Sequence, residues 1–487
     1  MKQKSIKMNF IMNTILTISG FIFPLITFPY ITRILLPEGT GRVNFAISLI
    51  NYFVMFAMLG IPTYGIRVCA QVRDDKEKLT RTAHELLLIN LFMCVVSYGL
   101  LAGALAFIPR LYEDRLLYIV ASSTILLTAI GMEWLFKALE QYTYITVCSM
   151  IFKLIAVIAM FLLVHQKSDY IIYGAISVLA ASASNIMNLI RARKYISMRP
   201  VGGYNLKRHF KPVLVFFAMA CAITIYTNLD NVMLGFMTGD VDVGYYNVAV
   251  KVKTFLVAIV TSLGNVLLPR VSYYIQQGKY DEFKRVCSKA INFVFITAAP
   301  LSLFFILFAG NAVYLLSGPA YTASIQPMQI IMPTVLLIGL TGIMGIQVLV
   351  PLGKEKYVLY SEIAGAVVDL ILNWILIPVM GASGAAIGTL VAELVVLCFQ
   401  LVVLRKELAD AYKAIKYYKI LIAMVAGCAA CIWVLFMKFG NFVSLLLAAV
   451  LFFGIYYLLL LIFKEELTVS ITEQIIQWIK RKVLKRV

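Results

Sequence analysis

Residues 228–253 read NLDNVMLGFMTGDVDVGYYNVAVKVK. The stretch ends one apolar run and opens the next, so it reads as a hairpin between two membrane helices. It places Asp230 near the end of the first run, and Lys251 and Lys253 early in the second. In hydrocarbon each such charge is costly unless a partner or a water-filled cavity receives it. The rest of the chain shows which of these applies.

Of 487 residues, 62% are hydrophobic and only 14% are charged, against about 25% in a soluble protein; the mean hydropathy is +0.90. The apolar residues fall into runs of roughly 20, the length at which a helix crosses ~30 Å of hydrocarbon. The fold class is therefore an all-α polytopic membrane protein. An outer-membrane barrel is excluded, because its strands alternate in polarity and give no such runs. Fourteen spans are predicted: 11–36, 43–62, 84–108, 117–137, 145–164, 171–190, 213–236, 245–268, 290–309, 327–350, 357–377, 384–404, 418–437 and 444–463. The N-terminal MKQKSIKMNF is basic and then apolar, like a signal peptide, but the apolar stretch runs on to Leu36 without a small-residue cleavage site. It reads as a retained first helix. Cys428 and Cys431 form a C-x-x-C inside an apolar run, where they read as packing residues rather than a redox pair.

Charge sets the orientation. With a cytoplasmic N-terminus, the inside segments hold 34 of the 43 Lys and Arg and the outside segments 6. The other 3 are Lys153, Lys251 and Lys253, within spans. A miscounted helix would scramble this alternation from the error onward. Both termini are thus expected in the cytoplasm, and the net charge of +19 needs no nucleic acid to explain it. All the predicted outside loops are short, and the longest, near 310–326, is uncharged. The tail 464–487 spaces Leu467, Ile471, Ile475, Ile479 and Val483 four apart and ends KRKVLKRV, a pattern that suits a basic amphipathic helix on the anionic inner leaflet.

An internal repeat organises the spans. GRVNFA at 41–46 matches GYYNVA at 244–249, an offset of 203, and Arg67-Val68 matches Arg270-Val271 at the same offset. Helices 1–2 then map onto 7–8 in the same orientation, implying parallel six-helix repeats. The expected domains are an N-lobe over 1–200, a C-lobe over 201–410, two further helices over 411–463 and the tail over 464–487. Two such lobes would enclose a central cavity.

Helix 2 carries Asn44, Ser48 and Asn51 on one stripe, and the offset turns these into Asn247, Lys251 and Thr254 on helix 8. Lys253 instead aligns with the apolar Ile50 and lies about 200° around the helix from Lys251. Lys251 is therefore expected to face the cavity, one to two turns below the outer surface, and Lys253 to face elsewhere. Arg33 and Arg42 bracket the turn between helices 1 and 2, and Lys153 lies on helix 5. Together they suggest a cationic cavity suited to an anionic ligand. Asp230, Glu133 and Asp369 are candidates for structural ion pairs or for coupling through a proton or a sodium ion. No G-x-x-x-x-G-K-[ST] motif is present, so no ATP-driven engine is encoded. Histidines 84, 165 and 209 are far apart in sequence and suggest no metal site. A membrane-embedded glycan polymerase would normally bring a large charged outer loop, and an acyltransferase an embedded histidine; neither pattern is seen.

The segments RILLPEGTGRVNFA, GIPTYGIRVCAQVRDDKEKL, MEWLFKALEQY, NLDNVMLGFMTGDVDVGYYNVAVKV, LLPRVSYYIQQGKYDEF and MGASGAAIGTLVAE resemble the Wzx-type polysaccharide flippases of the multidrug/oligosaccharidyl-lipid/polysaccharide exporter superfamily. They cover about residues 28–400 in the family's order. The resemblance implies a multi-pass protein of the bacterial cytoplasmic membrane, not an enzyme. It implies alternating access and export of polyprenyl-pyrophosphate-linked oligosaccharide between leaflets, with membrane lipids and the polysaccharide polymerase machinery as partners and no cofactor beyond a coupling ion. Basic cavity residues, here Arg33 or Arg42 and Lys251, would attract the pyrophosphate. A drug/cation antiporter of the same superfamily and a peptidoglycan-precursor flippase are the alternatives; the first would favour an anionic cavity.

Overall fold

Hydrocarbon offers a peptide group no partner, and a helix satisfies nearly all of its peptide groups within its own segment. The computed structural model describes residues 6–262, 271–413, 415–437 and 439–484, and every regular element among them is helical. Arg270 of the repeat and the side chains of Ile471, Ile475, Ile479 and Val483 in the tail lie outside the described set.

Two compact units divide at Gly244 and Tyr245. In chain order the first holds α1 (Ile6–Met58), α2 (Ile61–Gln71), α3 (Lys76–Phe107), α4 (Pro109–Glu113), α5 (Arg115–Gly131), α6 (Glu133–Ala138), α7 (Tyr142–Leu163), α8 (Tyr170–Ser182), α9 (Ser184–Ala192) and α10 (Lys207–Met237), with the opening of α11 (Asp240–Thr261). The second continues with α12 (Tyr280–Leu307), α13 (Ala309–Ser317), α14 (Ile325–Ile331), α15 (Thr334–Gly342), α16 (Glu355–Met380), α17 (Ala382–Val403), α18 (Arg405–Lys413), α19 (Tyr417–Cys431), α20 (Asn441–Ile462) and α21 (Glu466–Leu484). The offset of 203 aligns α10 with the first span, yet α10 packs within the first unit. That unit is centred on Trp134, Phe136, Ile50 and Leu86, all buried. In the second, Phe304, Phe308 and Phe452 tie α12 to α20, so the last two spans pack on the second unit.

Twelve helices are long and apolar enough to cross a membrane among the described residues, or up to thirteen if the bent pair is one span. The sequence predicts fourteen, and the difference starts at α1. Its 53 residues would reach about 80 Å at 1.5 Å per residue, more than twice the hydrocarbon thickness. The predicted spans 11–36 and 43–62 both begin in this element and meet at Leu36, which has φ 58° and ψ −179°. Pro37 follows, and a proline drives the preceding residue out of the helical region. Proline also breaks the predicted span 327–350. The segments Pro319–Ile331 and Thr334–Leu349 meet at 43° around Pro333, which has no N–H to continue the ladder. The stretch 310–326, expected as a loop, is largely helical, with α13 followed by a 3₁₀ turn over Pro319–Ser324.

The tightest hairpin joins α16 to α17 through Gly381 alone, at φ 51° and ψ −129°. Behind it, Gly384 and Gly388 let α17 approach α16 closely, as small residues four apart do in membranes. A Cβ at 384 would stand 2.5 Å from the Leu376 carbonyl oxygen, and one at 388 would stand 2.3 Å from Asn373 Oδ1. Gly384→Ala is expected to destabilise the purified protein by about 1–3 kcal/mol, read as a lowered Tm. Gly99→Ala, with nothing within 4 Å of its new Cβ, should cause no loss.

Candidate functional site

The polar stripe of α1 is spent on α10. Asn51 Nδ2 donates to Asn228 Oδ1 at 3.1 Å, and Asn231 Nδ2 donates to the Ser48 hydroxyl at 3.0 Å. Asn44 Nδ2 turns back to the Thr40 carbonyl oxygen at 2.8 Å. Ser48 is buried, and Asp230 is half-buried on the same α10 segment. Beside this seam the first unit carries an open cavity of about 460 Å³, lined by Asn51, Asn228 and Thr224 together with Met55, Met58 and Met219.

Arg42 anchors a knot of charges whose acidic members sequence reading did not single out. Its guanidinium lies 2.7 Å from Glu38, 3.2 Å from Asp114 and 3.9 Å from Asp240. Arg110 pairs with Asp240 at 2.9 Å, and the Tyr170 hydroxyl donates to Asp114 at 2.8 Å. Arg110 also stacks over the Phe45 ring and Arg42 over Tyr170. The backbone approach beneath is just as tight. A Cβ at Gly41 would stand 1.7 Å from the Asp240 carbonyl oxygen and 3.0 Å from the Gly244 nitrogen, and one at Gly244 would stand 2.1 Å from the Pro37 carbonyl oxygen. Gly41 and Gly244 are the first residues of the two matching hexapeptides, and both are glycines where the backbones of the first unit come this close. The available signal was Asp240 in the opening stretch, an acid at the head of a membrane helix.

The other predicted cations of this unit do not converge. Arg33 is exposed and donates to the Pro29 carbonyl oxygen at 2.6 Å. Lys153 donates to Ser19 Oγ at 2.9 Å, joining α7 to α1. Glu133 pairs with Lys137, one turn along, at 2.9 Å. A second buried knot was not anticipated. Glu85, fully buried on α3, accepts from Arg208 at 2.5 Å, from His209 Nε2 at 2.7 Å and from the Asn205 backbone N–H at 2.7 Å. His209 Nδ1 meets the Tyr64 hydroxyl at 2.8 Å. This knot pins the start of α10 to α2 and α3. A lone Glu in an apolar run carries no sequence mark of such partners. Among the described residues no group of three or more His, Cys, Asp or Glu could hold a metal ion.

In the second unit Asn247 is buried, Lys251 is exposed and Lys253 is half-buried. Because α11 begins at Asp240 rather than at 245, Lys251 lies about 16 Å along it, three turns in and deeper than the sequence suggested. It has no hydrogen-bond or ion-pair partner among the described residues. Asp369, 2% exposed, and Asn373 lie on α16 against the gap left by Gly388 on α17. Next to Gly388, the Thr389 hydroxyl meets the Tyr246 hydroxyl at 2.9 Å, which brings α11 to the same seam, and Glu393 is buried one turn further along α17.

Long apolar helices that join through pairs of polar side chains, with Lys251 at mid-depth on α11, define a polytopic membrane protein. The fold is similar to that of lipid II flippase MurJ in an inward closed conformation (TM-score 0.72, 14% identity, 93% of this chain and 99% of that one). It is also similar to an inward-facing multidrug resistance MATE family transporter of the MOP superfamily (TM-score 0.64, 13% identity, 83% and 99%). The family model described as "Polysaccharide biosynthesis protein" matches residues 6–275, and the MatE model matches 216–375. The chain belongs to the polysaccharide biosynthesis protein family, and it is an all-helical multi-pass membrane protein with the fold of the MurJ and MATE structures. Over 405 residues it is 25% identical to the "Putative O-antigen transporter" of Escherichia coli K12, covering 83% of this chain and 97% of that protein. Over 188 residues it is 28% identical to the lipid II flippase MurJ of Bacillus subtilis, covering 36% and 33%.

Asp240→Asn removes the carboxylate that Arg110 and Arg42 share, and should lower stability by about 1–3 kcal/mol in thermal unfolding of the purified protein. Glu38→Gln, at a side chain 61% exposed, should stay within about 1 kcal/mol of the parent.

Proposed function

We propose that the chain moves polyprenyl-pyrophosphate-linked oligosaccharide repeat units from the inner to the outer leaflet of the bacterial cytoplasmic membrane, by alternating access, for surface polysaccharide synthesis. Both termini are cytoplasmic in this reading, and the repeat halves 1–200 and 201–410 are its working lobes. The observation that carries it is Lys251, a cation at mid-depth with no protein partner among the described residues. An unpaired charge there needs a reason to persist, and a pyrophosphate crossing the membrane supplies one. The lipid tail stays in hydrocarbon while the charged headgroup passes the lysine. Arg42 enters as part of the closure at Gly41 and Asp240 rather than as a ligand: opening that closure exposes the seam of α1 and α10. Asp369, beside Asn373 and Thr389, is the acid assigned to coupling by a proton or a sodium ion.

The MatE match over 216–375 favours a drug/cation antiporter as the second reading. Lys251 argues against it, because it would repel a cationic cargo.

Deleting the gene should cause lipid-linked glycan intermediates to accumulate, detected by mass spectrometry of extracted lipids. Drug sensitivity without such accumulation would replace this reading with the antiporter. In the complemented strain, Lys251→Ala should cut export by about tenfold or more while Lys253→Ala leaves it nearly unchanged. Equal effects would refute the assignment of Lys251 to the cargo.

A further inference from the structure

The second unit contains another concentration of positive charge, away from α11, that the transport reading does not use. A cavity of about 510 Å³ opens where the start of α12, the end of α18, the start of α19 and the start of α21 converge. Five cations line it: Lys284, Arg285 and Lys289 from α12, Lys416 just before α19, and Lys419 within α19. Ile415, Ile420 and Leu467 supply its apolar wall.

Two of the polar residues in the lining have structural duties. Lys419, 8% exposed, donates to the Phe463 and Lys464 carbonyl oxygens that end α20. Glu465 accepts from the Thr468 N–H at 2.7 Å, from the Leu467 N–H at 3.1 Å and from Asn292 Nδ2 at 2.8 Å, capping α21. These bonds hold the cavity open between helix ends. Arg285, Lys289 and Lys416 are exposed in it, and none forms an ion pair among the described residues. Glu465 and Glu466 also line the pocket, so its five cations leave a net excess of three positive charges above an apolar wall at the ends of membrane helices, the level at which phospholipid headgroups lie. Basic pockets between membrane helices bind phosphate headgroups in this way.

We propose that this pocket binds the phosphate of an anionic phospholipid of the surrounding leaflet, which bridges α12, α19 and α21 and steadies the two terminal spans against the second unit. The site is independent of the cargo and of Lys251. On the charge asymmetry of the chain it faces the cytoplasmic leaflet.

The test uses the full chain in nanodiscs of phosphatidylcholine into which phosphatidylglycerol is titrated, with thermal stability and lipids retained in native mass spectrometry as readouts. Phosphatidylglycerol should raise the Tm saturably. In the Arg285→Gln/Lys289→Gln/Lys416→Gln variant the lipid fraction needed for half the effect should rise about tenfold or more. A charge-matched control, Arg193→Gln/Lys194→Gln/Arg199→Gln in the first unit, should titrate like the parent. If the triple variant is not monodisperse, Arg285→Gln alone serves, with about a threefold rise expected. Equal shifts in the control and pocket variants would reduce the effect to general surface charge and overturn the site. An equal Tm rise from inorganic phosphate or pyrophosphate in phosphatidylcholine alone would identify a soluble anion as the ligand and overturn the lipid assignment. Because no readout involves export, these outcomes stand apart from the fate of the flippase reading.

Discussion

Hydrocarbon neither hydrogen-bonds a peptide group nor solvates a charge, and this constraint shapes each part of the chain. It makes the apolar runs helical, and it confines irregular backbone to points where another group takes over. Leu36, Gly60 and Gly381 mark such points. It also explains why the intramembrane polar groups mostly come in partnered sets: Asn51 with Asn228, Ser48 with Asn231, Lys153 with Ser19. Lys251 departs from that pattern: among the described residues it has no hydrogen-bond or ion-pair partner.

Close packing of helix backbones is the second recurring device. Helices in lipid gain little from burying more apolar surface, so they associate through small residues that admit backbone contact. Gly384 and Gly388 do this between α16 and α17; Gly41 and Gly244 do it where α1 meets the head of α11. The second case joins packing to charge. With the backbones this close, Arg42 and Arg110 reach Asp114 and Asp240, and part of that knot is shielded from water.

The two ends of the first unit are held differently. The Arg42 knot is partly exposed, and its pairs are individually modest. In the Glu85 knot the carboxylate and His209 are buried, while Arg208 reaches it from an exposed position and the Asn205 backbone amide also donates to it. Breaking the latter would leave a charge stranded, which is far more costly than its net contribution when intact. Glu85 thus ties the start of α10 to α2 and α3.

The sequence by itself determined the class of protein, the approximate position of nearly every span and the repeat at an offset of 203. Hydropathy length, charge alternation and local motifs are properties of contiguous residues. It could also separate Lys251 from Lys253, because helical periodicity fixes their angular difference. It could not say that the stripe Asn44, Ser48 and Asn51 would meet α10, or that Arg42 would be taken up by Asp114 and Asp240. Those outcomes depend on which helices lie side by side, at separations of 70 to almost 200 residues. A polar residue in an apolar run looks the same whether it faces a cavity or a partner. Only the tertiary structure decides which, since the cost of a buried polar group is set by what stands within about 3 Å of it.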